Sequence, residues 1–272
     1  MTMRPIITLL TDFGTADGYV AELKGVLLSA VPDANIVDLS HDVPPQDVEC
    51  ARLAVARYWR RFPNGTVHLV VVDPGVGSSR RGIAADIGDY RFVAPDNGVL
   101  SAVFLESPPK KVVELTERKY ARAIVSRTFE GRDRFAPAAG WIARGTALSA
   151  LGPRLEDWHM LSLPSPQAAE GVVRGTVMRV DRFGNLITNI TRATLEALTP
   201  PLAVTLDRTS PMPVVGTYSD VAPGELCALV GSSGHLEIAV SQGSAAERLA
   251  GGRGRTVTVS ERATIPGCHD EF

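Results

Sequence analysis

Three polar segments in the first half of the chain adjoin apolar runs, at positions where α/β proteins bind ligands. The first contains Asp12, which follows the strand-like run 5–10 after one residue, Thr11. A carboxylate at a strand end can accept hydrogen bonds from both hydroxyls of a ribose ring. It can equally cap a helix or form an Asx-turn, so the position alone leaves both roles open.

The second segment runs from Asp73 to Arg81 and follows the apolar run 67–72. Its two glycines allow the backbone to approach a ligand closely. An acid at a strand end, with Arg80 seven residues later, can hold a water molecule between an acceptor and a cation. The alternative is a tight turn that carries a surface arginine. The segment is not a phosphate loop, because it lacks the Lys-Ser/Thr ending, and it also lacks the Rossmann glycine spacing.

The third segment, 128–133, stands before an alanine-rich stretch in which we predict a helix from about Arg132 to Ala143. Thr128 or Asp133 could simply cap that helix. In the second half of the chain, polar turns at 181–185 and 231–234 follow strand-like runs, and each alone is more typical of a β-turn than of a site.

The elements that position these segments change in character along the chain. The first 160 residues alternate strand-like and helix-like runs, which predicts an α/β layered domain with a largely parallel sheet at 1–164. Later residues form short β-like runs separated by glycine and proline, which predicts a smaller all-β, barrel-like domain at 170–272. The first predicted elements are strands at 5–10, 35–39 and 67–72 and helices at 18–30 and 48–59.

Composition excludes several classes of function. A formal charge of −2 argues against nucleic acid as a partner, and the apolar runs fall far short of a membrane span. Three widely spaced cysteines without a CxxC pair indicate a reduced cytoplasm and offer no zinc site. The five histidines are not grouped either, so we expect no metal and no other cofactor.

Six motifs, taken in order, resemble the S-adenosylmethionine (SAM) hydroxide adenosyltransferase family, the adenosine-forming hydrolases related to the bacterial fluorinase and chlorinase. The motifs are Leu-Thr-Asp-Phe-Gly at 10–14, Val-Asp-Pro-Gly-Val-Gly at 72–77, Pro-Asp-Asn-Gly at 95–98, Thr-Phe with Gly-Arg-Asp at 128–133, Phe-Gly-Asn at 183–185 and Leu-Glu-Ile-Ala-Val at 236–240. The resemblance runs nearly end to end. It implies hydrolysis of SAM to adenosine and methionine by in-line attack of water or hydroxide on C5′.

The resemblance also implies a homotrimer, with the ligand between the N-terminal domain of one subunit and the C-terminal domain of the next. It assigns Asp73 and Arg80 to an Asp-Arg-His triad that handles the water. The substrate-binding residues that it implies are Asp12 for the ribose; Asn185, Val240 and Gln242 for adenine; Phe129 and Tyr218 for packing around the nucleoside; and Asp17, Asp181 and Ser232 for methionine, with Ser233 and Glu237 beside them.

The chain departs from the family pattern at one catalytic position. Glu130 stands where the triad has its histidine. A glutamate can pair with Arg80 or accept a proton from water, but it cannot donate as an imidazolium does. Asp73 argues against halide chemistry, because a nearby carboxylate repels a desolvated halide. Two alternatives stay open: a SAM-dependent halogenase and a non-catalytic protein that binds adenosine or SAM.

Overall fold

The computed structural model describes residues 4–162 and 165–261, and the chain divides into two compact units, residues 1–162 and 163–272. The fold class expected from the sequence, an α/β domain with a largely parallel sheet followed by a smaller all-β, barrel-like domain, is confirmed. The boundary that we predicted at residue 164 lies outside the described residues.

The first unit is built on a six-stranded sheet in the order β2-β1-β3-β5-β4-β6. Its strands are β1 (Ile6–Thr11), β2 (Asn35–Ser40), β3 (Val67–Val71), β4 (Gly82–Ile87), β5 (Tyr90–Pro95) and β6 (Lys111–Glu114). The pairs that β1 forms with β2 and with β3 are parallel, as is the pair of β3 with β5, whereas β4 runs antiparallel to both neighbours. The carboxyl ends of β1, β2 and β3 therefore meet at one edge of the sheet.

Helices cover both faces of this sheet, and burial on both faces explains why the central strand β3 is apolar at every position except His68. The helices are α1 (Tyr19–Ala30), α2 (Val48–Tyr58), α3 (Ser101–Glu106) and α4 (Ala136–Ala143). Leu69 and Val71 of β3 belong to the core cluster that includes residues of α1 and α4. Val70 and Val72 belong to the opposite cluster, with residues of α2 and α3. A strand buried on both faces reads as an unbroken hydrophobic run.

One polar residue lies inside that run. The His68 side chain is fully buried, with Nδ1 2.7 Å from the Thr8 hydroxyl. Burial disfavours the charged imidazolium and lowers the pKa of His68 to about 4, so the ring is a neutral core residue.

The structure differs from the expected elements at three places. Helix α3 and strand β6 were not predicted, because they are six and four residues long and too short for a periodic pattern. The helix expected from Arg132 begins instead as a π-helical turn, Gly131–Phe135, before α4.

Within the described parts of the chain, no helix is long and apolar enough to cross a membrane.

The second unit is an antiparallel sheet in the order β11-β10-β14-β8-β9-β13-β12, with β7 paired to β8. Its strands are β7 (Gln167–Ala169), β8 (Val172–Val180), β9 (Leu186–Thr191), β10 (Leu202–Leu206), β11 (Met212–Pro213), β12 (Leu226–Val230), β13 (His235–Val240) and β14 (Thr256–Glu261). Short helices α5 (Arg192–Leu195) and α6 (Ala245–Arg248) join them. A bridge between Val214 and Ala228 brings the two ends of the sheet together, so the sheet is nearly a barrel.

The buried central strand of the first unit gives a direct test of this architecture. We expect Leu69→Ala to lower the free energy of unfolding by about 2–5 kcal/mol, because the fully buried side chain leaves a cavity in a close-packed core. Leu105→Ala is the matched control, since that leucine is 58 % exposed, and we expect a change of at most about 0.5 kcal/mol. All three tryptophans lie in the first unit, so urea unfolding followed by tryptophan fluorescence reports on it. Equal midpoints for the two variants would contradict the burial of β3.

Candidate active site

The loops that follow β1, β2 and β3 line one cavity of about 370 Å³. Asp12 comes from the first loop, Gln46 from the second and Asp73 from the third. The segment from Thr128 to Gly131 completes the wall. The remaining lining residues are Phe13, Tyr19, Pro45, Val71, Pro74 and Val76. The three segments singled out in the first half of the sequence thus meet at one site.

Asp73, Arg80 and Glu130 form a closed ionic cluster at this cavity. Arg80 Nε donates to Asp73 Oδ1 at 2.8 Å, and Nη2 donates to the second oxygen of the same carboxylate. The same Nη2 atom also donates to Glu130 Oε2 at 2.6 Å. One guanidinium nitrogen therefore bridges the two carboxylates, which lie within two hydrogen-bond lengths of each other.

The cluster is buried and carries a net charge of −1 when all three groups are ionised. The exposed fractions of the side chains are 6 % for Asp73, 9 % for Arg80 and 12 % for Glu130. Burial raises the pKa of Asp73 although the hydrogen bonds from Arg80 oppose the shift. Burial would lower the pKa of Arg80, but the two carboxylates outweigh it and raise that pKa. The guanidinium thus stays charged, and burial makes Asp73 more basic than an exposed aspartate.

The two carboxylates line the cavity, whereas Arg80 supports them from the protein side. Its guanidinium carbon lies 5.0 Å from the centre of the Phe135 ring, and that ring is fully buried. The Nη1 atom of Arg80 is buried and has no hydrogen-bond partner among the described residues. Such a donor is available to an ordered water molecule.

A tight turn returns Arg80 to Asp73 over seven residues. Gly77 has a φ of +76°, which other residues rarely adopt, and a Cβ atom there would lie 2.4 Å from the Arg127 carbonyl oxygen. Ser78 Oγ donates to the Gly75 carbonyl at 2.6 Å and closes the turn. The glycines of this segment therefore allow the turn to pack closely against the backbone of Arg127 and allow Arg80 to reach Asp73.

Three aromatic rings form the apolar wall of the cavity. Phe13, Tyr19 and Phe129 pack edge to face, with ring centroids 5.4 to 6.1 Å apart. Of these only Phe129 was assigned from the sequence. Phe13 lies inside a motif that had been singled out for its aspartate, and Tyr19 had no local signal. Asp17 lies on the exposed segment between β1 and α1.

In the second unit, Asp181 and Asn185 hold the turn between β8 and β9. Asp181 Oδ1 accepts the backbone N–H groups of Phe183 and Asn185, both at 2.9 Å. The Asn185 amide donates to Asp181 Oδ2 at 3.2 Å, and the side chain of Asn185 is buried. These bonds are those of an Asx-type turn, and they also fix the orientation of the Asn185 amide.

A second polar group in this unit surrounds the turn 231–234. The Tyr218 hydroxyl donates to Glu237 Oε2 at 3.1 Å, and burial together with the charge of Glu237 raises the pKa of Tyr218 to about 12. Glu237 lies under Gly231, where a Cβ atom would be 1.9 Å from its carboxylate. Ser233 Oγ is buried without a hydrogen-bond partner in the described part of the chain. Ser232 is the exposed residue of the turn.

The adenine-binding residues expected on β13 lie at its end. Val240 is buried and is the last residue of the strand, and Gln242 follows in a turn with a φ of +57°. No group of three or more His, Cys, Asp or Glu side chains with the geometry of a metal site occurs within residues 4–162 and 165–261.

Comparison with known proteins adds to this geometry. Models of the SAM hydroxide adenosyltransferase N-terminal and C-terminal domains match residues 7–152 and 175–258. A curated relative from Salinispora tropica, named (R)-S-adenosyl-L-methionine hydrolase, is 42 % identical over 92 % of this chain and 95 % of its own. A fluorinase from an Actinoplanes species is 31 % identical over 94 % of this chain and 98 % of its own. The crystal structure of a conserved protein from Thermotoga maritima, 37 % identical, superposes with a TM-score of 0.89 over 94 % of this chain and 100 % of that one.

The shared guanidinium gives a stability prediction with a pH signature. We expect Arg80→Met to lower the free energy of unfolding by about 3–5 kcal/mol near pH 7, because two buried carboxylates lose their common partner. Arg80 lowers the pKa of Asp73, so its removal raises that pKa further above the unfolded value. A carboxylate whose pKa is raised on folding destabilises the protein when it must ionise, so the loss should shrink as the pH falls.

Tryptophan-detected urea unfolding near pH 7 and near pH 5 measures this effect. Arg134→Met is the matched control, since Arg134 Nη1 lies 3.8 Å from Glu130 Oε1 and its side chain is 35 % exposed. We expect at most about 1 kcal/mol from it. A loss for Arg80→Met that equals the control, or that does not depend on pH, would contradict the bridging role.

Proposed function

The chain belongs to the SAM hydroxide adenosyltransferase family, and we propose that it is an enzyme that hydrolyses SAM to adenosine and methionine. The observation that carries the proposal is the pair of cavity-lining carboxylates, Asp73 and Glu130, bridged by Arg80. The curated hydrolase relative, similar over nearly its whole length, supports the same activity.

The charge of the cluster suits a sulfonium substrate. SAM carries a positive sulfur, so methionine leaves as a neutral thioether when the C5′–S bond breaks. A cluster with net charge −1 attracts this cation, and a dry cavity favours a step in which nucleophile and sulfonium neutralise each other. Much of the remaining barrier is alignment, which a clamped nucleoside supplies.

We propose that Asp73 accepts the proton that the attacking water loses. The water oxygen forms the new bond to C5′ as the electron pair of the C5′–S bond moves to sulfur, and the water proton passes to the carboxylate. Burial raises the pKa of Asp73, which makes it a better acceptor than an exposed aspartate. Glu130 takes the second hydrogen bond of the same water, and Arg80 fixes the separation of the two acids.

The substrate contacts are distributed over both units. In the first, Asp12 binds the ribose diol, Phe129 packs against the nucleoside and Asp17 contacts methionine. In the second, Asn185 binds adenine with Val240 and Gln242, while Tyr218 packs against the nucleoside. Asp181 and Ser232 contact methionine, and Ser233 and Glu237 complete the set of substrate-binding residues.

Two further features of the proposal concern the whole protein. We expect a homotrimer, with the N-terminal domain at 1–164 of one subunit and the C-terminal domain at 170–272 of the next sharing each ligand. Light scattering coupled to size-exclusion chromatography tests that state. We also expect the cytoplasm as the location, on the cysteine pattern, and SAM as substrate without any further cofactor or metal.

Because a fluorinase is among the similar proteins, the main alternative function is that of a SAM-dependent halogenase. The charge of the cluster disfavours that function. A desolvated halide a few ångströms from two carboxylates meets a repulsion of several kcal/mol even at an effective dielectric of about 20. Incubation of the purified protein with each sulfonium epimer of SAM, followed by chromatography, tests the activity. Adenosine and methionine should form in equal amounts, and high chloride or fluoride should yield no 5′-halo-5′-deoxyadenosine. Binding without turnover would establish the non-catalytic alternative.

Removal of the base separates catalysis from binding. We expect Asp73→Asn to lower kcat by about 100-fold or more, while the affinity for SAM changes by at most a few-fold. Asp157→Asn is the control, because Asp157 is 88 % exposed and its ion pair, within the described residues, is with Arg81. Steady-state kinetics with both variants measures the effect. Normal turnover in Asp73→Asn would remove Asp73 from the mechanism.

The glutamate in place of the family histidine predicts the pH profile. Since Asp73 acts as a base and its pKa is raised by burial, activity should fall in acid at a pH above the value near 3.9 of a free aspartate. No imidazole of the triad titrates near neutrality in the native chain. Glu130→His should introduce a second limb near pH 6.5, and it should raise kcat if the third triad position transfers a proton.

Measured pH–rate profiles of the native protein, Glu130→His and Glu130→Gln decide this point. The glutamine keeps the size of the side chain and a carbonyl acceptor for Arg80 but removes the charge, and we expect it to slow turnover. Unchanged rates and profiles in both variants would show that the third position is not catalytic.

A further inference from the structure

The segment from His41 to Gln46 is a part of the site to which the proposed mechanism gives no role. It follows β2, whose neighbour in the sheet is β1, the strand that Asp12 directly follows. The backbone N–H of Gln46 donates to Asp12 Oδ2 at 2.7 Å, across 34 positions of sequence. Both Asp12 and Gln46 line the cavity. The hydrogen bond joins an ionised group to a backbone donor and fixes the rotation of the carboxylate.

Gln46 makes this bond from a conformation that is rare for its residue type. Its φ is +67°, in the left-handed region where a residue with a Cβ atom is strained. The start of α2 holds it there, since Val48 N donates to the Gln46 carbonyl and Asp47 N donates to the Pro44 carbonyl, both at 3.0 Å. Strain of this kind persists only where surrounding contacts over-determine the backbone, and it clusters at ligand sites.

A second set of contacts ties the beginning of the segment to the same loop. The His41 ring is buried, with Nδ1 2.8 Å from the Thr11 hydroxyl and Nε2 3.0 Å from Asp38 Oδ1. Asp38 is in turn paired with Lys24 at 2.6 Å. The His41 carbonyl accepts the N–H of Gly14 at 2.8 Å. The segment therefore contacts the end of β1 on both sides of Asp12 and at Asp12 itself.

We propose that the segment 41–46 positions the Asp12 carboxylate for the ribose diol, with Gln46 and His41 as positioning residues. The Gln46 N–H occupies one lone pair of Oδ2 and sets the plane of the carboxylate. The remaining lone pairs then face the cavity before any nucleoside binds, so the Asp12 carboxylate does not have to rotate when the nucleoside binds. The inference rests on the ribose role proposed for Asp12.

The test compares two nucleosides that differ only in the diol. Calorimetry gives the Kd of adenosine and of 2′,3′-dideoxyadenosine, and their ratio measures recognition of the two hydroxyls. The native protein should prefer adenosine by about tenfold or more, and Asp12→Ala should reduce the ratio to about one. This readout is specific, because a general loss of packing weakens both nucleosides alike.

Variants that break a contact between the segment and the loop after β1 should lower the ratio without changing the affinity for the dideoxynucleoside. Gln46→Pro removes the N–H and imposes a φ near −65°, so the ratio should fall to nearly that of Asp12→Ala. Gln46→Gly is the matched control, since it keeps the N–H and adopts the left-handed φ without strain, and it should keep the native ratio. Thr11→Val removes the hydroxyl that contacts His41 in a side chain of similar shape, and it should lower the ratio by a few-fold.

The outcomes separate this inference from the proposed function. A native ratio near one would refute the ribose role of Asp12 and the inference with it, while adenosine formation from SAM stands as an independent result. A native preference that Asp12→Ala abolishes, but that Gln46→Pro and Thr11→Val both leave intact, would overturn the positioning role alone. If Gln46→Pro does not fold, Thr11→Val decides between these results.

Discussion

One nitrogen atom of Arg80 donates hydrogen bonds to two buried carboxylates, and the site depends on these two bonds. Without the guanidinium, Asp73 and Glu130 would repel each other in a region from which water is largely removed. With it, both acids stay at the cavity wall and the excess charge is −1. The parallel strands β1 and β3 bring the cluster to the same edge as Asp12, and the packing of Phe135 supports Arg80 from behind.

Glu130 stands where the family resemblance implies a histidine, and this difference changes the charge of the cluster. A neutral imidazole beside an Asp-Arg pair leaves no net charge, whereas Glu130 adds one negative charge at a distance of one hydrogen bond from Arg80. That charge favours a cationic sulfonium and opposes a halide. The fluorinase is similar in sequence over nearly the whole chain, but the cluster proposed here favours water as the nucleophile.

The parts of the site that sequence analysis anticipated are those with a local signal. Asp73 and Arg80 are seven residues apart in a glycine-rich turn, and Asp12 directly follows an apolar strand. All three residues could therefore be identified as candidates from the sequence. Glu130 was placed through the family motif around it. Tyr19 and Gln46 could not be found in this way, because neither belongs to a recognisable pattern.

Gln46 shows most clearly why the sequence alone was insufficient. Its role depends on a backbone N–H and a φ angle, which the identity of the side chain does not reveal. The physical rule that would have pointed to it is the parallel sheet, since the loop after β2 must end at the same edge as those after β1 and β3. Short elements such as α3 and β6 were missed for a related reason, because their positions are set by packing.

In the proposed mechanism water itself attacks C5′, and the alternative is attack by one of the two carboxylates at the cavity wall. Either acid could attack C5′ first, and hydrolysis of the resulting ester at its carbonyl carbon would then release adenosine with an oxygen from the protein. A single turnover in water enriched in oxygen-18, with the enzyme in excess over SAM, distinguishes the two by mass spectrometry of the adenosine. Direct attack predicts oxygen-18 in the 5′-hydroxyl group from the first turnover. Unlabelled adenosine, with the label in the protein, would contradict the central claim.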